Sequence, residues 1–88
     1  MNIPDTIKVG ALTYNIIIVD GFDDDKDGEH NPLQLKITIR KGKQEAMENT
    51  FWHEVVHAFN SETKSEEYVQ ALANSFQLFI KDNPGVFK

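Results

Sequence analysis

The feature that most constrains the fold is a change in apolar spacing at Gly42. Before it, Leu35, Ile37 and Ile39 alternate with polar residues, which is the period of a half-buried strand. After it, apolar residues recur at the three- and four-residue spacing of amphipathic helices. A chain of 88 residues corresponds to one domain. Strands followed by helices therefore predict a single α+β domain over residues 1–88.

The N-terminal half is predicted to form a small antiparallel sheet of about three strands. Residues 7–9 alternate in polarity, and Leu12–Val19 is rich in the β-branched residues that suit a pleated sheet. The run Ile16–Val19 is apolar on both faces, so it is expected to lie centrally beneath a helix. Residues 20–34 contain glycine, proline and many acidic residues, which predicts a long polar loop before a strand at Leu35–Lys41.

The C-terminal half is predicted to form two antiparallel helices that pack on the sheet. The first is expected from about Gln44 to Phe59. Residues 60–65 form a polar break with several potential N-caps. A second apolar stripe runs over Val69–Ile80 and is expected to stop at Asn83–Gly85, because proline disfavours helical backbone in the residue before it.

Composition excludes several classes of partner and site. The net charge is −5 and the pI is near 5.0, so nothing favours nucleic acid or an anionic membrane as partner. There is no cysteine, hence no disulfide and no thiolate zinc site, and any metal ligand must be His, Asp or Glu. No apolar run is long enough to span a bilayer and no leader pattern begins the sequence, so a cytoplasmic location is expected, in the host cell if the protein is phage-encoded.

The strongest chemical signal is the HExxH pattern formed by residues His53–His57. Histidines four residues apart lie on one helical face, so His53 and His57 can reach a single metal ion. Glu54 lies about 100° away around the helix, where its carboxylate can accept a proton from a water on that metal. This arrangement predicts a zinc site with Glu54 as the catalytic base.

A catalytic zinc usually has three protein ligands, and the third is expected on the second helix. Glu66, Glu67 and Gln70 are the polar residues at the right height. Glu66 flanks the apolar stripe of that helix, whereas Glu67 lies nearly opposite it. We therefore predict Glu66 as the third ligand, with Glu67 as the alternative.

Around these residues the chain resembles the gluzincin metallopeptidases, in particular the minimal and phage-encoded domains related to the ImmA/IrrE type. The matching segments are the acidic loop, Ile7–Gly10, Leu35–Lys41, Thr50–Ala58 and Glu66–Pro84. The resemblance implies a zincin-like domain with a three-stranded sheet and zinc between an active-site helix and a glutamate helix. It also implies an acidic residue one turn after the glutamate ligand, where this chain has Gln70.

The sequence does not identify the donor that would stabilise the oxyanion formed during acyl hydrolysis. Tyr14, Tyr68 and His30 are candidates. The tyrosines are expected to make core contacts, and His30 is expected to be exposed to solvent.

The acidic loop invites comparison with a calcium site. Asp23–Gly28 fits the first half of an EF-hand loop. The second half does not fit, because the twelfth position is Gln34 and Pro32 interrupts the loop. A solvated acidic loop is therefore the preferred interpretation.

Together these observations predict a small zinc metallopeptidase, a hydrolase that acts on a peptide or protein. Its substrate is expected to lie extended beside an edge strand at Leu35–Lys41. One alternative is a catalytically inactive phage or prophage accessory binding module with the same fold, and another is a small regulator that works through protein contact alone. Neither the substrate nor the oligomeric state follows from the sequence.

Overall fold

The computed structural model describes residues 1–59 and 65–85. The strands are β1 (Thr6–Val9), β2 (Leu12–Val19), β3 (Gly28–Asn31) and β4 (Lys36–Arg40), and the helices are α1 (Gln44–Phe59) and α2 (Glu66–Asp82). The predicted α+β class and the order of strands before helices are confirmed. Of the polar break predicted at 60–65, only Ser65 lies within the described residues.

The sheet has four strands in the order β1-β2-β4-β3, and it is mixed. β2 and β4 run parallel, whereas the two outer pairs are antiparallel. The prediction of a small antiparallel sheet of about three strands therefore holds in outline, but the sheet has a fourth strand and one pair of strands is parallel. The additional strand, β3, lies inside the segment that was predicted as a loop. It was missed because its polar sequence has no strand signature, and it forms by pairing with β4.

The position of β4 corrects a second prediction. The strand at Leu35–Lys41 was expected at an edge of the sheet, but β4 lies between β2 and β3. The chain passes from β2 to the outer edge, forms β3, and returns through a turn in which Leu35 has a φ of 52°. β3 is therefore the edge strand on the side of the sheet where α1 packs.

The core lies between the sheet and α1. It is built on Tyr14, Ile37, Ile39, Phe51 and Val55. Ile37 and Ile39 are fully buried, and each such side chain contributes roughly 1.5–3 kcal/mol to the free energy of folding. α2 covers the other side of α1 through two buried residues of its own.

β2 is internal to the sheet as predicted, but it is not buried on both faces. Ile17 and Ile18 are 40% and 46% exposed, because α1 packs on β3 and β4 and leaves this end of β2 uncovered. Within residues 1–59 and 65–85, no helix has the length and apolar character that crossing a membrane requires.

Candidate metal centre

α1 presents two histidines to one side of the molecule. His53 and His57 lie one helical turn apart, and their ring centroids are 5.0 Å apart. Phe51 and Val55 hold the opposite face of the helix in the protein interior. Because these side chains anchor α1, packing fixes which side of the molecule the two histidines face.

Glu66, the first residue of α2, completes a group of three potential ligands. One carboxylate oxygen lies 2.9 Å from Nε2 of His53, and the other lies 3.2 Å from Nε2 of His57. Ser65 caps the helix by accepting a hydrogen bond from the backbone N–H of Tyr68, which fixes where α2 begins. Glu67 is exposed and is not part of the group.

The donor set suits zinc. The ligand atoms of His53, His57 and Glu66 all lie within 4.8 Å of one another, and among the described residues they are the one such group of three. Donors placed about 2.0–2.2 Å from a tetrahedral ion lie about 3.3 Å apart, close to the two distances from Glu66 to the histidines. Two imidazoles and one carboxylate leave a fourth position open, as in catalytic and not structural zinc sites.

Gln70 orients His53. Nδ1 of His53 donates a hydrogen bond to Oε1 of Gln70 over 2.8 Å. The amide nitrogen of Gln70 donates in turn to Asn49 and Asn74, each at 2.8 Å, so the amide cannot be reversed without losing these bonds. Nε2, the nitrogen that faces Glu66, is therefore the one available to a metal. Gln70 occupies the place from which an acidic residue supports a ligand histidine in zinc sites.

Glu54 is almost buried beside this group. It is 7% exposed and lines the same cleft as the three potential ligands. Burial raises the pKa of its carboxyl group to about 7; the charge on His53 opposes this rise, and the charges on Glu66 and Glu29 add to it. A pKa near neutrality is what a general base needs.

Gly28 of β3 lies directly against α1 at this point. A Cβ on Gly28 would be 2.5 Å from Cγ2 of Thr50 and 3.1 Å from Oε2 of Glu54. Only glycine allows the strand to approach the helix this closely. The strand thereby excludes water from one side of Glu54.

His30 lies two residues farther along β3. It was predicted to be exposed, but it is half-buried and lines the cleft. Its Nε2 lies 3.0 Å from the hydroxyl of Tyr14, and the two ring centroids are 5.2 Å apart. Burial lowers the pKa of His30, and the charge on His57 lowers it further.

The predicted core position is confirmed for one of the two tyrosines and is wrong for the other. Tyr14 is in the core as predicted, at 2% exposure. Tyr68 was expected to make core contacts, but it is 50% exposed on α2. Tyr68 does not line the cleft around the histidines.

The histidines line an open cleft of about 490 Å³ between β3, α1 and the first turn of α2. Lys26, from the loop before β3, lines the same cleft and forms an ion pair with Glu29. Its hydrogen bond to Glu29 and the nearby acidic groups raise the pKa of Lys26. The lining of the cleft therefore combines one lysine with several acidic and imidazole side chains.

The acidic side chains of Asp23–Gly28 do not converge on one point: no three of them form a ligand group in the described part of the chain. Asp27 pairs with Arg40 at 3.6 Å, and the backbone carbonyl of Asp24 accepts a hydrogen bond from Nη2 of Arg40 at 3.2 Å. These contacts attach the loop to the C-terminal end of β4.

Sequence reasoning missed two residues that shape the site, Gly28 and Asn49, and it placed a third, His30, in solvent. Gly28 and the cleft position of His30 depend on a strand that has no local signature. Asn49 was detectable, because it lies one turn before His53 and thus on the face that carries both histidines. Comparisons with protein-family models, curated protein sequences and solved structures found no significant match to this chain.

Proposed function

We propose that this protein is a zinc-dependent peptide hydrolase in which His53, His57 and Glu66 hold the metal and Glu54 is the general base. The observation that carries the proposal is the convergence of three suitable donors on one point, next to a nearly buried carboxylate in the same cleft. A buried carboxyl group with a raised pKa beside such a group in a cleft is typical of a catalytic site.

His53, His57 and Glu66 would hold a zinc ion, which would supply the Lewis acidity that polarises a substrate carbonyl and lowers the pKa of a water molecule. Glu54 accepts the proton of the attacking water, because it is adjacent to the ligand group without belonging to it. The same carboxyl group then donates that proton to the departing amine. Burial of Glu54 holds it in one orientation for both transfers.

β3 offers a binding site for an extended peptide. It is the outer strand of the sheet, so one side of its backbone has no partner strand among the described residues. Gly28 and His30 of this strand line the cleft. A peptide that pairs with β3 would pass over the histidines, with backbone hydrogen bonds providing affinity. The proposed substrate is therefore a peptide, or an extended segment of a protein.

The decisive experiment compares zinc-loaded wild type with Glu54→Gln on a diverse peptide pool read by mass spectrometry. The amide is nearly isosteric, so zinc content and folding should be retained. It cannot accept a proton, so hydrolysis should fall by at least ~10². Equal cleavage by the variant would reject Glu54 as the base, and full zinc retention in His53→Ala/His57→Ala would reject the metal site.

A second candidate function is that of a binding module without activity. Leu78 and Phe79 on α2 are 59% and 52% exposed, and such exposed apolar side chains favour protein contact. This function predicts zinc content without cleavage of any peptide in the pool. The same assay therefore separates the two candidates.

A further inference from the structure

The hydrogen bond between Tyr14 and His30 has a defined donor and acceptor. Tyr14 is 2% exposed, and its hydroxyl has His30 as its one hydrogen-bond partner among the described residues. A buried hydroxyl must give its proton to an acceptor, because an unsatisfied donor costs about 1–3 kcal/mol. Tyr14 therefore donates to Nε2 of His30, and this assigns the proton of the neutral ring to Nδ1.

Nδ1 of His30 is thus a donor without an assigned acceptor. It makes no hydrogen bond within residues 1–59 and 65–85. It is also not one of the sealed, unpartnered polar atoms of that part of the chain, which are Nε of Arg40 and Nε1 of Trp52. Since His30 lines the cleft, this N–H is accessible from the cleft.

The register of the sheet places His30 beside the reacting position. His30 and Gly28 lie on the same face of β3, two residues apart, and Gly28 touches Glu54. His30 and His57 line the same cleft. His30 is nevertheless outside the ligand group, so it does not compete for the metal position.

We infer that His30 is the hydrogen-bond donor that stabilises the negative charge developing on the substrate carbonyl oxygen, and that Tyr14 is the positioning residue that keeps the Nδ1–H form. The inference rests on the proposed hydrolase function and names a residue of that same site. A preorganised neutral donor in a cleft is what oxyanion stabilisation requires.

The first test needs neither activity nor a variant. Nitrogen-15 NMR of the imidazoles in the metal-free protein should show His30 as the Nδ1–H tautomer at neutral pH. Tyr14→Phe, which retains the aromatic ring, should move His30 toward a mixture of tautomers. An Nε2–H tautomer in the wild type would overturn the inference, because no N–H would then face the cleft.

The second test measures the affinity of the zinc-loaded protein for methylphosphonate, a tetrahedral oxyanion, by phosphorus-31 NMR. His30→Leu should bind it about tenfold more weakly, the equivalent of one hydrogen bond to an anion. His30→Asn should stay within about threefold of wild type, because its amide nitrogen takes the place of Nδ1. Both variants should retain full zinc content.

These outcomes separate the inference from the function on which it rests. A wild type that takes up no zinc would end the proposed function, and the oxyanion role would fail with it. If zinc binds but His30→Leu holds methylphosphonate as tightly as wild type, or if wild type holds none, only the inference is overturned. Rescue by asparagine but not leucine would support a donor and not a packing role.

Discussion

The two walls of the cleft differ in how the sequence specifies them. The helical wall carries His53 and His57, whose separation is set by the geometry of α1 alone. The strand wall carries Gly28 and His30, whose place depends on β3 pairing with β4. Residues close in sequence therefore define the helical wall, whereas the strand wall exists only in the folded protein.

The walls also differ in what holds them in place. Amide side chains connect α1 to α2, with Asn49 bonded to both Asn74 and Gln77 at 2.8 Å. β3 has backbone pairing on one side and a close contact with α1 at Gly28. Substitutions in the helical wall should therefore act on metal affinity, and substitutions in the strand wall should act on the environment of Glu54.

The largest effect is expected at Glu66, which belongs to the helical wall through α2. Glu66→Gln should weaken zinc binding by about 10²-fold or more, because a neutral amide replaces a charged ligand oxygen. Glu67→Gln, the matched control one residue away, should change it less than about twofold. Zinc affinity measured by competition with a chelator tests this. A larger loss in Glu67→Gln than in Glu66→Gln would show that Glu67, and not Glu66, faces the metal.

The helical wall was predictable because its information is local. Spacing along the chain predicted the bounds of α1, the shared face of His53 and His57, and the selection of Glu66 over Glu67. It did not predict the hydrogen bonds of Gln70. Only its contacts with His53 and two asparagines show that its amide oxygen is turned toward the imidazole.

The strand wall was not predictable because its information is not local. The sequence of β3, Gly28–Asn31, contains no apolar residue and follows an acidic loop. It becomes a strand because Ile37 and Ile39 of β4 are drawn into the core and present an unpaired edge to it. Because β3 pairs at the outer edge before the chain returns as β4, β4 runs parallel to β2 and lies in the interior of the sheet.

The next prediction concerns Glu54, where the two walls meet. Its pKa in the folded protein, about 7, lies above the ordinary 4.5, so the folded state binds this proton more tightly than the unfolded state does. Stability of the metal-free protein should therefore fall as pH rises from about 4.5 to 7, and this cost is fully present above pH 7.

Glu54→Gln removes the carboxyl group whose deprotonation destabilises the folded protein. In the presence of chelator the variant should gain up to about 3 kcal/mol over wild type at pH 8, and little at pH 4.5. Urea denaturation at both values measures the difference. Glu45→Gln, an exposed substitution on the same helix, serves as the control and should show no such pH dependence. A pH-independent gain would mean that burial does not raise the pKa of Glu54.

A smaller effect is expected at the strand wall itself. Gly28→Ala places a methyl group 2.5 Å from Cγ2 of Thr50, so β3 must move away from α1. We expect a loss of about 1–3 kcal/mol in the free energy of unfolding, the usual cost of overpacking. Gly42→Ala is the matched control, because nothing lies within 4 Å of its added Cβ.

The contact with Thr50 offers a rescue. Thr50→Ser removes Cγ2, so the double variant Gly28→Ala/Thr50→Ser should recover part of the lost stability. The contact with Glu54 at 3.1 Å remains, so recovery should be incomplete. Thermal unfolding of the four proteins gives the coupling between the two positions. Additive effects would show that the strand does not rest on the helix at this point.

The smallest effect is expected at Gln70, which supports the helical wall without binding metal. Gln70→Leu removes the acceptor for Nδ1 of His53, so the imidazole is free to rotate and to change tautomer. Zinc affinity should fall about tenfold, a free-energy difference of about 1.4 kcal/mol.

Gln70→Glu restores an acceptor and should bind zinc at least as tightly as wild type. It also loses the two bonds that the amide nitrogen donates to Asn49 and Asn74. Chelator competition on the three proteins, with unfolding measured alongside, separates the contributions. If Gln70→Glu gains zinc affinity but loses stability, the amide is retained for the connection between α1 and α2, and metal binding alone would favour the acid. If leucine and glutamate bind zinc equally, the orientation of His53 is set by packing, and the helical wall needs no polar support.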